Sequence, residues 1–433
     1  MKLVVIGTGY VGLVSGVCFA EFGFETTCID KDKNRITELE KGVCPFYEPG
    51  IEELLFKHLK KTKLISFSSS LNKSIKDADV VFITVGTPSK RINDEADLSA
   101  IWEVAEEIGE NLKSYCLIVT KSTVPVGTTR KIKQIIATKA NQDNFNVVSN
   151  PEFLREGSAV NDFMRPDRVI IGAENEKSLN IMRELYRPLY LRETPIVSTT
   201  IETAEIIKYA SNSFLATKIG FINQVADLCE EVGADVQDVA KGIGMDKRIG
   251  SKFLHAGPGF GGSCFPKDIK AFTAIARKHN IDFSILDAVN SSNEQRPNKI
   301  VEKILKLKNF DSNSSIAVLG LSFKPNTDDI RDSTSLKIAN ILYENNIKIN
   351  CYDPIAMNNS KLLYKDFQYF SSVYKACEGV NAIIIGTEWN EFRALNFHKI
   401  KTSIKDPIIF DLRNIYEPNE LKKAGFLYYG VGK

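Results

Sequence analysis

The chain is predicted to be α/β, with two parallel-sheet domains joined through a long central helix and a helical middle, and three observations predict it. Short apolar, β-branched runs alternate with helical stretches over residues 1–196, and the same alternation returns over 311–433. Between them, over 197–310, lies a long amphipathic period without strand signals. A length of 433 residues suits two or three domains and excludes a single small module.

The elements follow in order. KLVVI (2–6) is a strand that stops at Gly7, Val11 to Phe22 reads as a helix, and ETTCID is a short strand ending in Asp30. ADVVFITVG, YCLIVTKS and FNVVSN are further strands, separated by helices such as DLSAIWEVAEEIGENL, and RVIIG adds an edge strand. From Thr199 to about Gly233 one helical period runs without proline. At 1.5 Å per residue that helix is about 50 Å long, more than one ordinary domain needs, so it is expected to bridge domains and offer a surface for self-association. Helices continue to about Lys308, and strands resume at SSIAVLGLSF, IKINCYD, VNAIIIGT and PIIFDLRN.

Composition narrows the function. With 43% hydrophobic and 25% charged residues, disorder, collagen and coiled coil are poor readings. Lys+Arg 56 against Asp+Glu 54 leaves a net charge of +2, so no global field draws nucleic acid or an anionic membrane, and an anionic substrate needs a local basic pocket. The 8 cysteines are scattered without a C-x-x-C, and the 4 histidines are isolated. This argues against a disulfide framework and a zinc site, and no metal is expected; a reducing cytoplasm fits best. The apolar N-terminus is interrupted by Gly7, Gly9 and Gly12, and no run reaches the roughly 18 apolar residues that span a membrane, so it reads as folded structure.

Four groups of residues carry chemistry. Gly7-x-Gly9-x-x-Gly12 follows a strand, opens a helix and is succeeded by a strand ending in Asp30, the context of a dinucleotide turn. Asp30 accepts from ribose hydroxyls and repels a 2′-phosphate, which favours NAD; the alternative is a tight turn with a solvated Asp. Arg35 is either an adenosine contact or a surface residue. In GPGFGGSCFPKD (257–268), Cys264 stands just before a helix whose first turn suits Pro266, with Lys267 beside it and Asp268 four residues on. That pattern suits a nucleophile with a polar partner, against the commoner buried, inert thiol. Lys208 and Asn212, four apart on the long helix, suit oxyanion or water stabilisation, against a snorkelling lysine. Glu152 and Glu156 in NPEFLREG lie just past a strand end, where open α/β sheets bind ligands. In the last domain, Lys324, Arg331 and Arg413 stand where glycines would cradle phosphate, as diphosphate contacts or as surface charge.

Taken together, KLVVIGTGYVGL, KSTVPVGT, NPEFLREG, the Lys208/Asn212 helix, RIGSKFLHAGPGFGGSCFPKD and GLSFKPNTDDIRDS resemble the UDP-glucose 6-dehydrogenase family, in order and across essentially the whole chain. The resemblance implies two Rossmann-like domains joined by a long central helix: an NAD-binding domain over 1–196, a central helical domain over 197–310 and a UDP-sugar-binding domain over 311–433, assembled at least as a homodimer. It implies oxidation of UDP-glucose to UDP-glucuronate with two NAD per turnover. By the same resemblance Cys264 is the nucleophile, Lys208 and Asn212 stabilise developing charge and position water, and Thr123 and Asp268 hold the water network. Glu152 does acid/base work in thioester hydrolysis, and Glu156 lies near the nicotinamide. Phe153, Leu154, Phe260, Gly261, Lys324 and Arg413 contact substrate, and Arg248 reaches a neighbouring subunit's substrate. Tyr10, Val11 and Thr87 join Gly7, Gly9, Gly12, Asp30, Arg35, Thr123, Lys267 and Arg331 around the cofactor. The competing readings are a related dehydrogenase of GDP-mannose or a UDP-N-acetylhexosamine, a two-electron hydroxyacid dehydrogenase, which has no use for the cysteine, and a non-catalytic NAD-binding protein.

Overall fold

The computed structural model describes residues 1–90 and 95–433. The chain divides into two compact units, residues 1–211 with 274–280 and residues 212–273 with 281–433.

The first unit is built on eight strands: β1 (Lys2–Ile6), β2 (Glu25–Ile29), β3 (Ile65–Ser68), β4 (Val80–Ile83), β5 (Cys116–Thr120), β6 (Phe145–Ser149), β7 (Val169–Ala173) and β8 (Ile196–Thr199). Their order is β3-β2-β1-β4-β5-β6-β7-β8. All neighbours pair in parallel except β6 and β7, which are antiparallel. Two expectations are corrected here. The sheet contains one antiparallel join, and RVIIG is an interior strand, because β8 pairs along its outer side. β8 is short and largely solvent-facing, so it carries no apolar run to betray it.

The central strands β4 and β5 are buried along their whole length because both faces are covered, and the period of two divides their side chains between two cores. Val80 and Phe82 of β4 and Leu117 and Val119 of β5 join Leu13, Val17 and Phe19 of the helix Tyr10–Glu21. Val81, Ile83, Cys116 and Ile118 face the other way, onto Ile101, Ile108, Ile132 and Ile136. Each such side chain contributes about 1.5–3 kcal/mol of burial. The register aligns Ile6 with Ile29 and Ile83, Ile83 with Thr120, and Thr120 with Ser149. Gly7, Asp30, Thr84, Lys121 and Asn150 therefore leave the sheet along one carboxyl edge, where open α/β sheets bind ligands.

The second unit has six parallel strands, β9 (Ser315–Leu319), β10 (Lys348–Tyr352), β11 (Gln368–Tyr369), β12 (Ala382–Ile385), β13 (Ile408–Asp411) and β14 (Leu427–Gly430), in the order β11-β10-β9-β12-β13-β14. Counted within each unit, both sheets start 3-2-1-4-5-6, the order of dinucleotide-binding folds. The second does not repeat the first one's chemistry. Asp353, the counterpart of Asp30 after the second strand, is fully buried and accepts the N–H groups of Leu321, Ser322, Ile355 and Ala356 and the Trp389 indole. Its carboxylate is consumed internally, so it has no capacity left for a ribose.

The expected long helix is a single element, Ile201–Val232, 32 residues long. No helix among the described residues is long and apolar enough to cross a membrane.

Candidate active site

In the first unit, the turn after β1 is glycine for steric reasons. A Cβ on Gly12 would lie 1.8 Å from the Gly7 carbonyl oxygen, so the helix Tyr10–Glu21 packs on the turn only without one. At Gly9, the residue before that helix, a Cβ would meet nothing within 4 Å. An open cradle at a helix N-terminus, rich in unsatisfied N–H groups, fits a pyrophosphate. Asp30 closes the far side. Its Oδ2 accepts the Thr8 N–H at 2.9 Å, the Thr8 hydroxyl at 2.8 Å and Arg35 Nη1 at 3.1 Å, and Oδ1 accepts the Asp32 N–H at 3.0 Å. Burial opposes ionisation, but the Asp32 and Thr8 donors and the Arg35 charge outweigh it and hold the carboxyl below its ordinary range. Arg35 is thus an ion-pair partner of Asp30. The residues present fit NAD, with a fixed anion for a ribose and an uncharged cradle for the diphosphate.

Two carboxylates that sequence reasoning missed brace this edge. Glu48 is buried and accepts the Tyr10 hydroxyl together with the N–H groups of Gly157 at 2.6 Å and Ala159 at 2.7 Å, tying the dinucleotide turn to the loop that carries Glu152 and Glu156. Burial pushes its pKa up. Glu205, on the long helix, accepts the N–H groups of Gly127 at 2.7 Å and Thr129 at 2.9 Å and so caps the helix Thr128–Ala137 below the KSTVPVGT loop. Within that loop the Thr123 carbonyl accepts the Thr87 hydroxyl at 2.8 Å, so these two expected cofactor residues do meet. Val11 lies in the first turn of the helix behind the cradle.

Glu152 and Lys208 form a buried ion pair at 2.9 Å, and the second Glu152 oxygen accepts the Leu154 N–H at 2.6 Å. Phe153 is held on its ring face, with the Arg168 guanidinium 3.8 Å and Lys208 Nζ 5.2 Å from the ring centroid. Arg168, at the foot of β7, was not anticipated. Glu156 is buried close enough to Tyr10 to help push its phenol pKa up, although burial is the main cause and Glu48 contributes more.

In the second unit, Cys264 is a half-buried thiol whose carbonyl accepts the Asp268 N–H at 2.8 Å, the first turn of the helix Phe265–Lys278. Its Sγ lies 3.4 Å from the Ser263 hydroxyl. Asp268 is only 1% exposed. It takes Asn212 Nδ2 at 2.6 Å on one oxygen and Lys267 Nζ at 2.6 Å on the other, so Asn212, Lys267 and Asp268 converge one turn from the thiol. The glycines before Cys264 serve protein packing more than ligand approach: a Cβ on Gly261 would lie 2.1 Å from the Asp332 carbonyl oxygen, and the Gly262 N–H donates to Arg331. Asn293 clamps both backbone groups of Phe260 at 2.9 Å, and Asn223 and Arg296 hold Gly257. None of these three clamps was anticipated.

Among the second-domain cations, Arg413 reaches the Gly386 and Phe323 carbonyls and pairs with Glu388. Lys324 lies 5.3 Å over the Phe323 ring, and Arg331 is paired in a fork with Asp329. Arg248 is exposed and paired with Asp246, apart from these groups. Among the described residues no cluster of His, Cys, Asp or Glu is placed to hold a metal ion.

Three family descriptions match along the chain in order: the UDP-glucose/GDP-mannose dehydrogenase family NAD binding domain over residues 1–190, its central domain over 202–295 and its UDP binding domain over 317–418. A UDP-glucose 6-dehydrogenase of Rhizobium meliloti (strain 1021) is 48% identical over 436 residues, covering 100% of both chains. One from Rickettsia felis is 47% identical, covering 100% of this chain and 96% of its own. A solved UDP-glucose dehydrogenase from the archaeon Pyrobaculum islandicum superposes with a TM-score of 0.92 at 35% identity, covering 100% of this chain and 97% of that one.

Proposed function

The chain belongs to the UDP-glucose/GDP-mannose dehydrogenase family, and on that premise we propose that it oxidises UDP-glucose to UDP-glucuronate with NAD, four electrons per turnover, through a thioester on Cys264. The observation that carries this reading is the thiol at the N-terminal end of its helix with Asn212, Lys267 and Asp268 fixed one turn away. A two-electron dehydrogenase needs no such thiol.

NAD, held by the Gly7–Gly12 turn with Asp30, supplies the hydride acceptor for both oxidations. The chain's own residues do the rest. The sugar C6 hydroxyl loses its proton to a base, and the developing oxyanion is stabilised by the Lys208 ammonium and the Asn212 amide. The Cys264 thiolate adds to the aldehyde carbon, which prevents its escape and, once the oxygen takes back a proton, leaves a thiohemiacetal; loss of the second hydride from its carbon and of that proton from its hydroxyl converts it to a thioester. Glu152, with Lys208 balancing its charge, takes a proton from water as water attacks the thioester carbonyl, and Cys264 leaves as thiolate. Thr123 and Asp268 hold that water. Glu156 lies toward the nicotinamide, Lys267 meets the diphosphate of the cofactor, and Arg331 reaches the cofactor from the last domain. Phe153 and Leu154 offer backbone groups to the substrate, and Phe260, Gly261, Lys324 and Arg413 grip the UDP-sugar. The parts are an NAD-binding domain (1–196), a central helical domain (197–310) and a UDP-sugar domain (311–433).

The working form is a homodimer through the long helix. Phe214, Phe221 and Leu228 repeat every seven residues along it and are 67%, 55% and 61% exposed, an apolar stripe that a second copy would cover. Arg248, in its exposed turn, then reaches the neighbouring subunit's substrate. The eight cysteines are all thiols, which suits the reducing cytoplasm. Purified protein incubated with NAD and separate nucleotide sugars should form two NADH per UDP-glucuronate; one NADH per sugar, with aldehyde released, would overturn the reading.

A further inference from the structure

Lys121 leaves the sheet at the end of β5, with its backbone N–H on the Ile83 carbonyl at 2.9 Å and its side chain inside the first unit, only 4% exposed. Its Nζ lies between the rings of Phe163 and Tyr186, 5.7 and 5.9 Å from their centroids. It donates to Asn150 Oδ1 and to the Tyr186 hydroxyl, each at 3.2 Å. The Tyr186 hydroxyl donates to the same Asn150 oxygen at 2.7 Å, and Asn150 Nδ2 donates to the Ile170 carbonyl at 2.7 Å. These groups form a closed ring on Asn150, the residue before Pro151 and Glu152, and a residue before proline has little backbone freedom of its own.

A methionine would fill this apolar site at less cost than a buried ammonium, so the charge needs a reason. We propose that Lys121 is a positioning residue of the oxidation: it pins the start of the loop that carries Glu152 and places a second positive charge, besides Lys208, behind that carboxylate. The proposal rests on the acid/base assignment of Glu152. Burial pulls the Lys121 pKa down to about 8, Glu152 raises it, Lys208 lowers it and the Cys18 thiol raises it slightly. The ammonium therefore predominates at neutral pH, where its charge reaches Glu152 through protein rather than water.

The test is the pH dependence of acyl-enzyme hydrolysis, followed by intact-protein mass in Lys121→Met, Lys121→Arg and Glu152→Gln. Removing the charge should move the acid limb of hydrolysis upward by roughly one pH unit, the size of one lost charge at an effective dielectric near 20. Lys121→Arg should bring the limb back toward its wild-type position, whereas a purely structural role would lower the melting temperature of both variants and move neither limb. If Lys121→Met does not fold, Tyr186→Phe, which removes one acceptor from the ammonium, should move the limb the same way by less. A limb that stays in place in the folded variant, while Glu152→Gln abolishes it, overturns the role of Lys121 alone. A limb that survives in Glu152→Gln overturns the assignment of Glu152 instead.

Discussion

Asp30→Ala should reduce NAD use and erode the discrimination against NADP. A carboxylate offers about four acceptor directions, two per oxygen. Oδ2 already serves the Thr8 N–H, the Thr8 hydroxyl and Arg35, while Oδ1 serves only the Asp32 N–H. One direction on Oδ1 is therefore left for one ribose hydroxyl. A hydrogen bond to a charged acceptor is worth about 1.5–3 kcal/mol, so kcat/KM for NAD should fall roughly 10- to 150-fold. NADP should gain relative to NAD, because a 2′-phosphate no longer meets the carboxylate. Against burial, the Asp32 and Thr8 donors and the Arg35 charge hold the Asp30 pKa down, so the wild-type preference should persist at pH values where an ordinary carboxyl is partly protonated, and fade only as pH falls through the lowered value. Initial rates with NAD and NADP at saturating UDP-glucose measure both effects, with a melting curve to show that the variant is folded. A wild type that uses NADP as well as NAD, or a folded Asp30→Ala within about two-fold of wild type for NAD, would refute the reasoning, since one charged bond is worth at least ten-fold.

Glu205→Ala removes a buried cap from the helix Thr128–Ala137 and leaves the Gly127 and Thr129 N–H groups without it; unfolding in urea should show a loss of about 2–4 kcal/mol, and less than about 0.5 kcal/mol would deny the cap any weight. Lys324→Ala should weaken UDP-glucose binding by about ten-fold or more while leaving NAD binding nearly unchanged, as measured by calorimetric titration; unaltered sugar affinity would remove Lys324 from the site. Phe221→Glu, in the exposed stripe of the long helix, should halve the mass measured by light scattering; a mass that does not change would place the interface elsewhere.

The parts that were legible in the sequence are those whose partners lie close in the chain. Gly7, Gly9, Gly12 and Asp30 fall within one strand–turn–helix–strand unit, and Cys264 and Asp268 within one helical turn, so spacing alone exposes them. The braces were not legible because they act across long separations: Glu48 reaches Gly157 across 109 residues, and Lys121 reaches Tyr186 across 65. Asn293 and Arg168 are ordinary polar residues until folding sets one against the Phe260 backbone and the other on the Phe153 ring. Asp353 ends its strand as Asp30 does, and only its six internal donors, the Ser322 hydroxyl among them, show that it cannot serve a ribose. Among strands, β3, β8, β11 and β14 escaped because each spans four residues or fewer and none is buried along its whole length, unlike the equally short β4, β12 and β13.

The central claim is that Cys264 carries the sugar as a thioester. Glu152→Gln mixed with NAD and UDP-glucose should accumulate a protein species heavier by one UDP-glucuronyl group, seen by intact-protein mass spectrometry, and the added mass should vanish when Cys264 is also replaced by alanine. Cys264→Ala alone should stay folded, since its thiol is half-buried outside the core clusters, yet form no UDP-glucuronate. A folded Cys264→Ala that makes UDP-glucuronate at a near wild-type rate would contradict the account.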